Sequence, residues 1–138
     1  NYSAAKMAVV GFMNTLKLEG ARNNIIINAL APLAATRIAE PSGIFETYDP
    51  ELVTPEAVAA MVSYLVSEDC TDSGNILAAT AGYYSRIQVM EGEGVRVDPR
   101  KTMTPEKIAE LWPQITAMEN PQGYHDGVAN LTAVMAKE

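Results

Sequence analysis

Asn24-Ile25-Ile26-Ile27-Asn28-Ala29-Leu30-Ala31-Pro32 is the stretch on which the reading of the fold turns. It is short, rich in β-branched residues and stopped by a proline, the pattern of a strand buried on both faces inside a parallel sheet. A second run of the same kind, Asn75-Ile76-Leu77-Ala78-Ala79-Thr80-Ala81-Gly82, follows a Ser73-Gly74 turn and closes on a glycine. Between the two, Thr54-Pro55-Glu56 supplies an N-cap residue, a proline at the first helical position and an acid near the positive helix end. Val58, Met61, Val62, Leu65 and Val66 then recur at helical spacing, predicting a helix that ends near Asp69. Strand, helix and strand make a βαβ unit, which predicts an α/β fold built on a parallel sheet.

Working outward, Met7, Val10, Met13 and Leu18 mark a helix from Ser3 to Leu18, with Val9, Phe12 and Leu16 widening its apolar face and Gly20 placed as a C-cap. Leu33 to Val53 is rich in Pro, Gly, Ser and Thr and reads as a long excursion, with a short helix near Ile44 to Tyr48. Beyond Gly82, the segments Arg86 to Glu91 and Val95 to Asp98 flank Gly92-Glu93-Gly94 as a small hairpin would. Thr104-Pro105-Glu106 opens a further helix toward Met118, bent at Pro113, and a last helix runs from about His125 to Ala136. With no repeat, low-complexity tract or linker, residues 83–138 are expected as a mostly helical extension packed on the domain formed by residues 1–82.

The 138 residues are 48% apolar, enough for one domain, or part of one. Seventeen acidic residues stand against 10 basic ones, and the net charge of −7 argues against nucleic acid or anionic lipid as a partner. The longest apolar stretch, Ile25 to Ala35, is interrupted by Asn28 and Pro32 and falls short of the roughly 20 residues that span a bilayer. Cys70 is the single cysteine, so no intrachain disulfide can form, and a reducing compartment, cytoplasm or an organelle matrix, is expected. An N-terminus with no initiator Met and no signal-peptide pattern predicts that the chain begins within a longer protein.

Tyr2 and Lys6 lie four apart at the start of the first helix, so both side chains project from one face and can serve one bound molecule. An ammonium one turn from a phenol favours the phenolate, which suits proton exchange with an alcohol or carbonyl oxygen while a hydride moves elsewhere. The spacing by itself more often marks a solvated helix face.

The order of features resolves this. Asn1-Tyr2-Ser3-Ala4-Ala5-Lys6 followed by Met7-Ala8-Val9-Val10-Gly11-Phe12 resembles the catalytic helix of the short-chain dehydrogenase/reductase family. The resemblance implies that Tyr2 is the acid–base and that Lys6 holds the nicotinamide ribose. Ile27 through Pro32 resembles the family's sixth strand with its following proline, and Ser73-Gly74-Asn75 through Ala81-Gly82 resembles its seventh. Where the family has glycine after that proline, this chain has Leu33, and the family's cofactor-contacting threonine falls one position later than Thr36. Pro32, Leu33 and Thr36 are therefore the expected cofactor-binding positions beside Tyr2 and Lys6. Thr36-Arg37, and the tail with Met103-Thr104-Pro105-Glu106, Trp112 and Met118-Glu119-Asn120, resemble the (3R)-hydroxyacyl-CoA dehydrogenase part of peroxisomal multifunctional enzyme type 2.

By this resemblance the chain is the C-terminal part of a Rossmann-type doubly wound sheet. The cofactor is NAD or NADP, the substrate an acyl thioester or another small hydroxy or keto compound, and the compartment the peroxisomal matrix in a eukaryote or otherwise the cytoplasm. The alternatives within the family are a 3-oxoacyl-acyl-carrier-protein reductase and a hydroxysteroid dehydrogenase. The glycine-rich phosphate loop, the residue selecting NAD or NADP, and the family's catalytic serine and Asn-Ala-Gly motif have no counterpart in the sequence. The isolated chain is expected to be inactive, and either to associate as a homo-oligomer or to join the missing half as a separate chain.

Other residues invite plainer readings. His125, the sole histidine, has no cysteine or second histidine close enough to form a zinc site, so no metal is expected. Cys70 follows Glu68-Asp69, whose charge opposes thiolate formation, and is expected to pack. The methionines, at apolar helix positions, and Trp112 are expected in the core, with Met61 and Met118 as candidates to border an acyl chain.

Overall fold

A computed structural model describes residues 1–39, 43, 45–49, 51–124 and 127–136. In chain order they form α1 (Tyr2–Ala21), β1 (Ala29–Pro32), α2 (Pro55–Leu65), β2 (Ile76–Thr80), β3 (Tyr83–Ile87), β4 (Met90–Glu91), α3 (Pro105–Ile115), β5 (Gln122–Gly123) and α4 (Gly127–Ala136). Two units divide the chain, Asn1–Gln88 and Val89–Glu138.

The βαβ unit read from the sequence is present. β1 and β2 pair in parallel, with Ala29 opposite Ile76 and Pro32 opposite Ala79, and α2 crosses between them. The mixed α/β class and the parallel sheet agree with the sequence reading. Burial does not: only Ala29 of β1 is buried, and Ala31 and Pro32 are exposed. β1 lies at the edge of the order β1-β2-β3, so among the described residues no strand pairs with its other flank.

β1 also begins later than the apolar run suggests. Asn24 takes a left-handed φ of 58°, the Ile25 N–H returns to the Gly20 carbonyl at 3.1 Å, and the Asn24 N–H to Ala21 at 3.2 Å. These are the two bonds of a Schellman motif with Asn24 at the left-handed position. Gly20 is thus not the C-cap; it lies within α1, and a Cβ there would stand 3.1 Å from Cβ of Ile25, so its smallness admits the returning chain.

The second strand closes as a hairpin. Ala81 and Gly82 take φ of 45° and 72°, the double positive φ of a two-residue turn matched to strand twist. β3 then runs back along β2, Thr80 opposite Tyr83 and Ile76 opposite Ile87. The hairpin expected around Gly92-Glu93-Gly94 does not form, because Arg86 is taken up opposite Leu77 and Met90–Glu91 pairs antiparallel with Gln122–Gly123. α2 ends at Leu65, short of Asp69, where the Val66 N–H still reaches Val62 at 3.1 Å and the Ser67 N–H closes on Tyr64 at 3.0 Å. β3 is tied to α2 by the Tyr84 hydroxyl, which donates to the Ala57 carbonyl at 2.7 Å.

In the second unit α3 begins as expected: the Thr104 hydroxyl accepts the Lys107 N–H at 3.3 Å. Pro113 lies inside α3, which ends at Ile115. The Arg96 guanidinium donates to the Val134 carbonyl and the Asn130 amide to the Glu91 carboxylate. Neither α3 nor α4 buries a residue. The expected start of the last helix at His125, and Ile44 of the short helix expected in the excursion, lie outside the described residues; Gly43 to Tyr48 otherwise forms turns.

Among the described residues the apolar core is small: Met13, Ala29, Val53, Val58, Cys70 and Ala79. Cys70 packs as expected. Most methionines do not, since Met7, Met118 and Met135 are exposed and only Met13 is buried, and Trp112 is 57% exposed. A short sheet flanked by few helices has too little surface to cover them.

Candidate active site

Tyr2 and Lys6 stand on the first turns of α1. The 3.6-residue period brings them together, and the Lys6 ammonium lies 5.3 Å from the centroid of the Tyr2 ring, a cation–π distance. Both are exposed. Asn1 supports the turn from beneath, its carbonyl accepting the Ala5 N–H at 2.9 Å.

Pro32 ends β1, and the Leu33 N–H continues the ladder onto the Ala79 carbonyl at 3.1 Å. Two residues on, the Ala35 N–H meets the carbonyl of buried Val53 at 2.7 Å. This bond closes the neck of the excursion, and Thr36 is the first residue outside it. Pro32, Leu33 and Thr36 are all exposed and lie at or beyond the carboxyl end of a parallel strand, where open α/β sheets place their ligands. Thr36 lines an open hollow of about 480 Å³ together with Ala35, Arg37, Phe45 and Glu46. Phe45 is braced edge-to-face by Tyr48 at 6.5 Å between centroids. No hydrogen bond, ion pair or ring contact joins Tyr2 or Lys6 to Pro32, Leu33 or Thr36, so the site residues form two groups, one on the helix and one on the loop.

The opposite end of the strands is pinned by Asn28, which sequence reasoning treated only as an interruption. Its side chain accepts the Asn75 N–H at 3.0 Å and donates to the Asp72 carbonyl at 2.7 Å. Beside it the Ile27 N–H donates to the Ser73 hydroxyl at 3.0 Å, and the Gly74 N–H reaches the Ile27 carbonyl at 2.7 Å. The signal was available in retrospect, because an asparagine inside an apolar strand needs partners for its amide. Lys17, on the last turns of α1, lies against Gly74, which has φ of +83° and whose missing Cβ would stand 2.6 Å from Cδ of Lys17.

Three titratable groups of the second unit are shifted by their neighbours. The Arg100 guanidinium, with its backbone N–H, holds the Asp98 carboxyl below the usual value, and Asp98 in turn raises Arg100. Its own backbone N–H and the Thr104 hydroxyl lower Glu106. Among the described residues no cluster of His, Cys, Asp and Glu could hold a metal ion, and no helix is long and apolar enough to cross a membrane. His125 lies outside them.

Comparison with known proteins gives the class first. No protein-family model matches the sequence. A Mycobacterium tuberculosis protein named as a short-chain type dehydrogenase/reductase is 40% identical over 84% of this chain, which spans 39% of that protein. The chain is homologous to the short-chain dehydrogenases/reductases.

Within that class its homologues include the peroxisomal multifunctional enzymes. Multifunctional enzyme A of Dictyostelium discoideum is 35% identical over 99% of this chain and 30% of its own length. The structure of full-length multifunctional enzyme type 2 from Drosophila melanogaster matches 98% of this chain and 24% of that one, with a TM-score of 0.78 at 30% identity. An acetoacetyl-CoA reductase of Acinetobacter is 37% identical over 61% of this chain and 38% of its own. The chain thus spans between about a quarter and two fifths of each of these four relatives, and the resemblance read from the sequence agrees with them.

Proposed function

We propose that this chain supplies the acid–base half of an NAD(P)-dependent oxidoreductase that interconverts a secondary alcohol and a ketone, with 3-hydroxyacyl-CoA and 3-oxoacyl-CoA as the pair. The observation that carries this reading is the Lys6 ammonium 5.3 Å from the Tyr2 ring, both exposed at the start of a helix, in a chain homologous to dehydrogenases and reductases. The name of the acetoacetyl-CoA reductase supports a thioester substrate.

In this reading the Tyr2 hydroxyl gives a proton to the substrate's carbonyl oxygen in reduction and takes it from the hydroxyl in oxidation. The three N–H donors of the Lys6 ammonium suit the hydroxyls of a ribose. Pro32, Leu33 and Thr36, at the carboxyl end of β1, border the nicotinamide. The cofactor, NAD or NADP, would exchange the hydride. The residues present fit its nicotinamide-ribose end: an exposed phenol and ammonium share one face. They do not seat its pyrophosphate, for which the sequence has no glycine-rich turn feeding a helix. A further polypeptide segment supplies that seat, and the chain alone does not transfer hydride. The peroxisomal relatives support a peroxisomal matrix location in a eukaryote, with cytoplasm as the alternative.

In the complete enzyme, Tyr2→Phe is expected to lower turnover of a 3-oxoacyl-CoA by roughly 10²- to 10⁴-fold while cofactor binding persists. Near-normal turnover overturns the assignment. Greater activity on a matched acyl-carrier-protein thioester or a steroid transfers the same chemistry to another substrate. A second reading is favoured by Met7, Phe12 and Leu18, all more than half exposed on α1: an inactive fragment that self-associates. A monomer in solution would reject it.

A further inference from the structure

A coenzyme A thioester carries several phosphate charges, and a chain with a net charge of −7 repels them. The stretch from Asn23 to Ser85, which holds β1, the excursion, α2 and β2, contains eight acidic residues and one basic residue, Arg37. Arg37 follows Thr36 directly and lines the same hollow of about 480 Å³ as Phe45 and Glu46. It is exposed. No hydrogen bond or ion pair engages its guanidinium among the described residues, and Glu46, across the hollow, is not bonded to it. The only positive charge of this segment is therefore held at the excursion's hollow, beside the neck closed by Ala35 and Val53, with its donors unused among the described residues.

We infer that Arg37 is the specificity-determining residue for a phosphate on the thiol carrier of the substrate, and that the hollow it lines with Thr36 and Phe45 receives that carrier. The inference rests on the thioester reading above and adds the group that recognises the carrier. A guanidinium offers a planar fork of donors that matches phosphate oxygens two at a time. A free arginine keeps that fork available, whereas one paired to Glu46 would have to break an ion pair first.

The test compares acetoacetyl-CoA with the acetoacetyl thioester of N-acetylcysteamine, which has the same reacting group and no phosphate, using the complete enzyme. Arg37→Gln is expected to lower the ratio of kcat/KM on the first to kcat/KM on the second by about tenfold or more, with the loss carried by KM. Arg37→Lys should recover part of it, as a point charge without the fork. The phosphate-free substrate reports folded, active enzyme in the same preparation, so a misfolded variant is not mistaken for the effect. An unchanged ratio, or equal losses on both thioesters, overturns the role of Arg37 and leaves the proposed function standing. If the wild-type enzyme turns over neither thioester, the proposed function fails, and this inference with it.

Discussion

The side-chain oxygen of Asn28 accepts the backbone N–H of Asn75 at 3.0 Å, joining the segment that leads into β1 to the residue that precedes β2. The two residues are 47 apart in sequence, yet the bond sits at the first rung of the parallel pair, just before Ala29 meets Ile76. With the Asp72 carbonyl held by the same amide, one side chain sets where the β1–β2 ladder begins.

Replacing Asn28 by leucine keeps the branched heavy-atom shape and removes both bonds, leaving the part-buried Asn75 N–H without its partner and the more exposed Asp72 carbonyl to solvent. The expected loss of stability is about 1–3 kcal/mol, read as a lower urea midpoint. Ser73→Ala, which removes a more exposed link, should cost less. Equal costs for the two would show that Asn28 has no special part in registering the strands.

Gly74 and Gly82 both adopt positive φ, +83° and +72°, yet differ in surroundings. Alanine at Gly82 meets nothing within 4 Å, so only the backbone term of about 1–2 kcal/mol applies. Alanine at Gly74 adds a collision with the Lys17 stem and should cost about 1 kcal/mol more. Matched thermal melts of the two variants decide it, and a Gly82 variant that is the less stable would refute the argument.

Asp98 offers a pH-dependent readout in the second unit. The Arg100 side chain donates to both carboxylate oxygens, at 2.9 and 3.2 Å, and its backbone N–H adds a third bond at 3.0 Å. Because these bonds depress the folded-state value, their contribution is present above the unfolded value near 3.8 and is lost as pH falls through the folded one. Arg100→Gln should raise the Asp98 midpoint toward 3.8 in an NMR titration. An unchanged midpoint would mean that solvent screens the pair completely.

How far the sequence reached differs by residue. Tyr2 and Lys6 were legible because a helix start and a spacing of four fix their neighbourhood locally. Pro55 and Thr104 marked their helices for the same reason. The turn at Ala81–Gly82 was not legible, since alanine at positive φ gives no local signal and the turn is held by the pairing of Thr80 with Tyr83. Arg37 was visible only as part of a two-residue resemblance; the hollow around it depends on the Ala35–Val53 bond.

The sequence by itself determined the helix starts at Pro55 and Pro105, the βαβ order and the placing of Tyr2 and Lys6 on one helix face, because each of these follows from local periodicity, capping and spacing. Only the tertiary structure decided that β1 starts at Ala29 rather than Asn24, that β3 turns back on β2, and that the methionines and Trp112 stand largely in the open. Those outcomes are set by which distant groups pair and by how much apolar surface the sheet can cover, and periodicity along the chain carries information about neither.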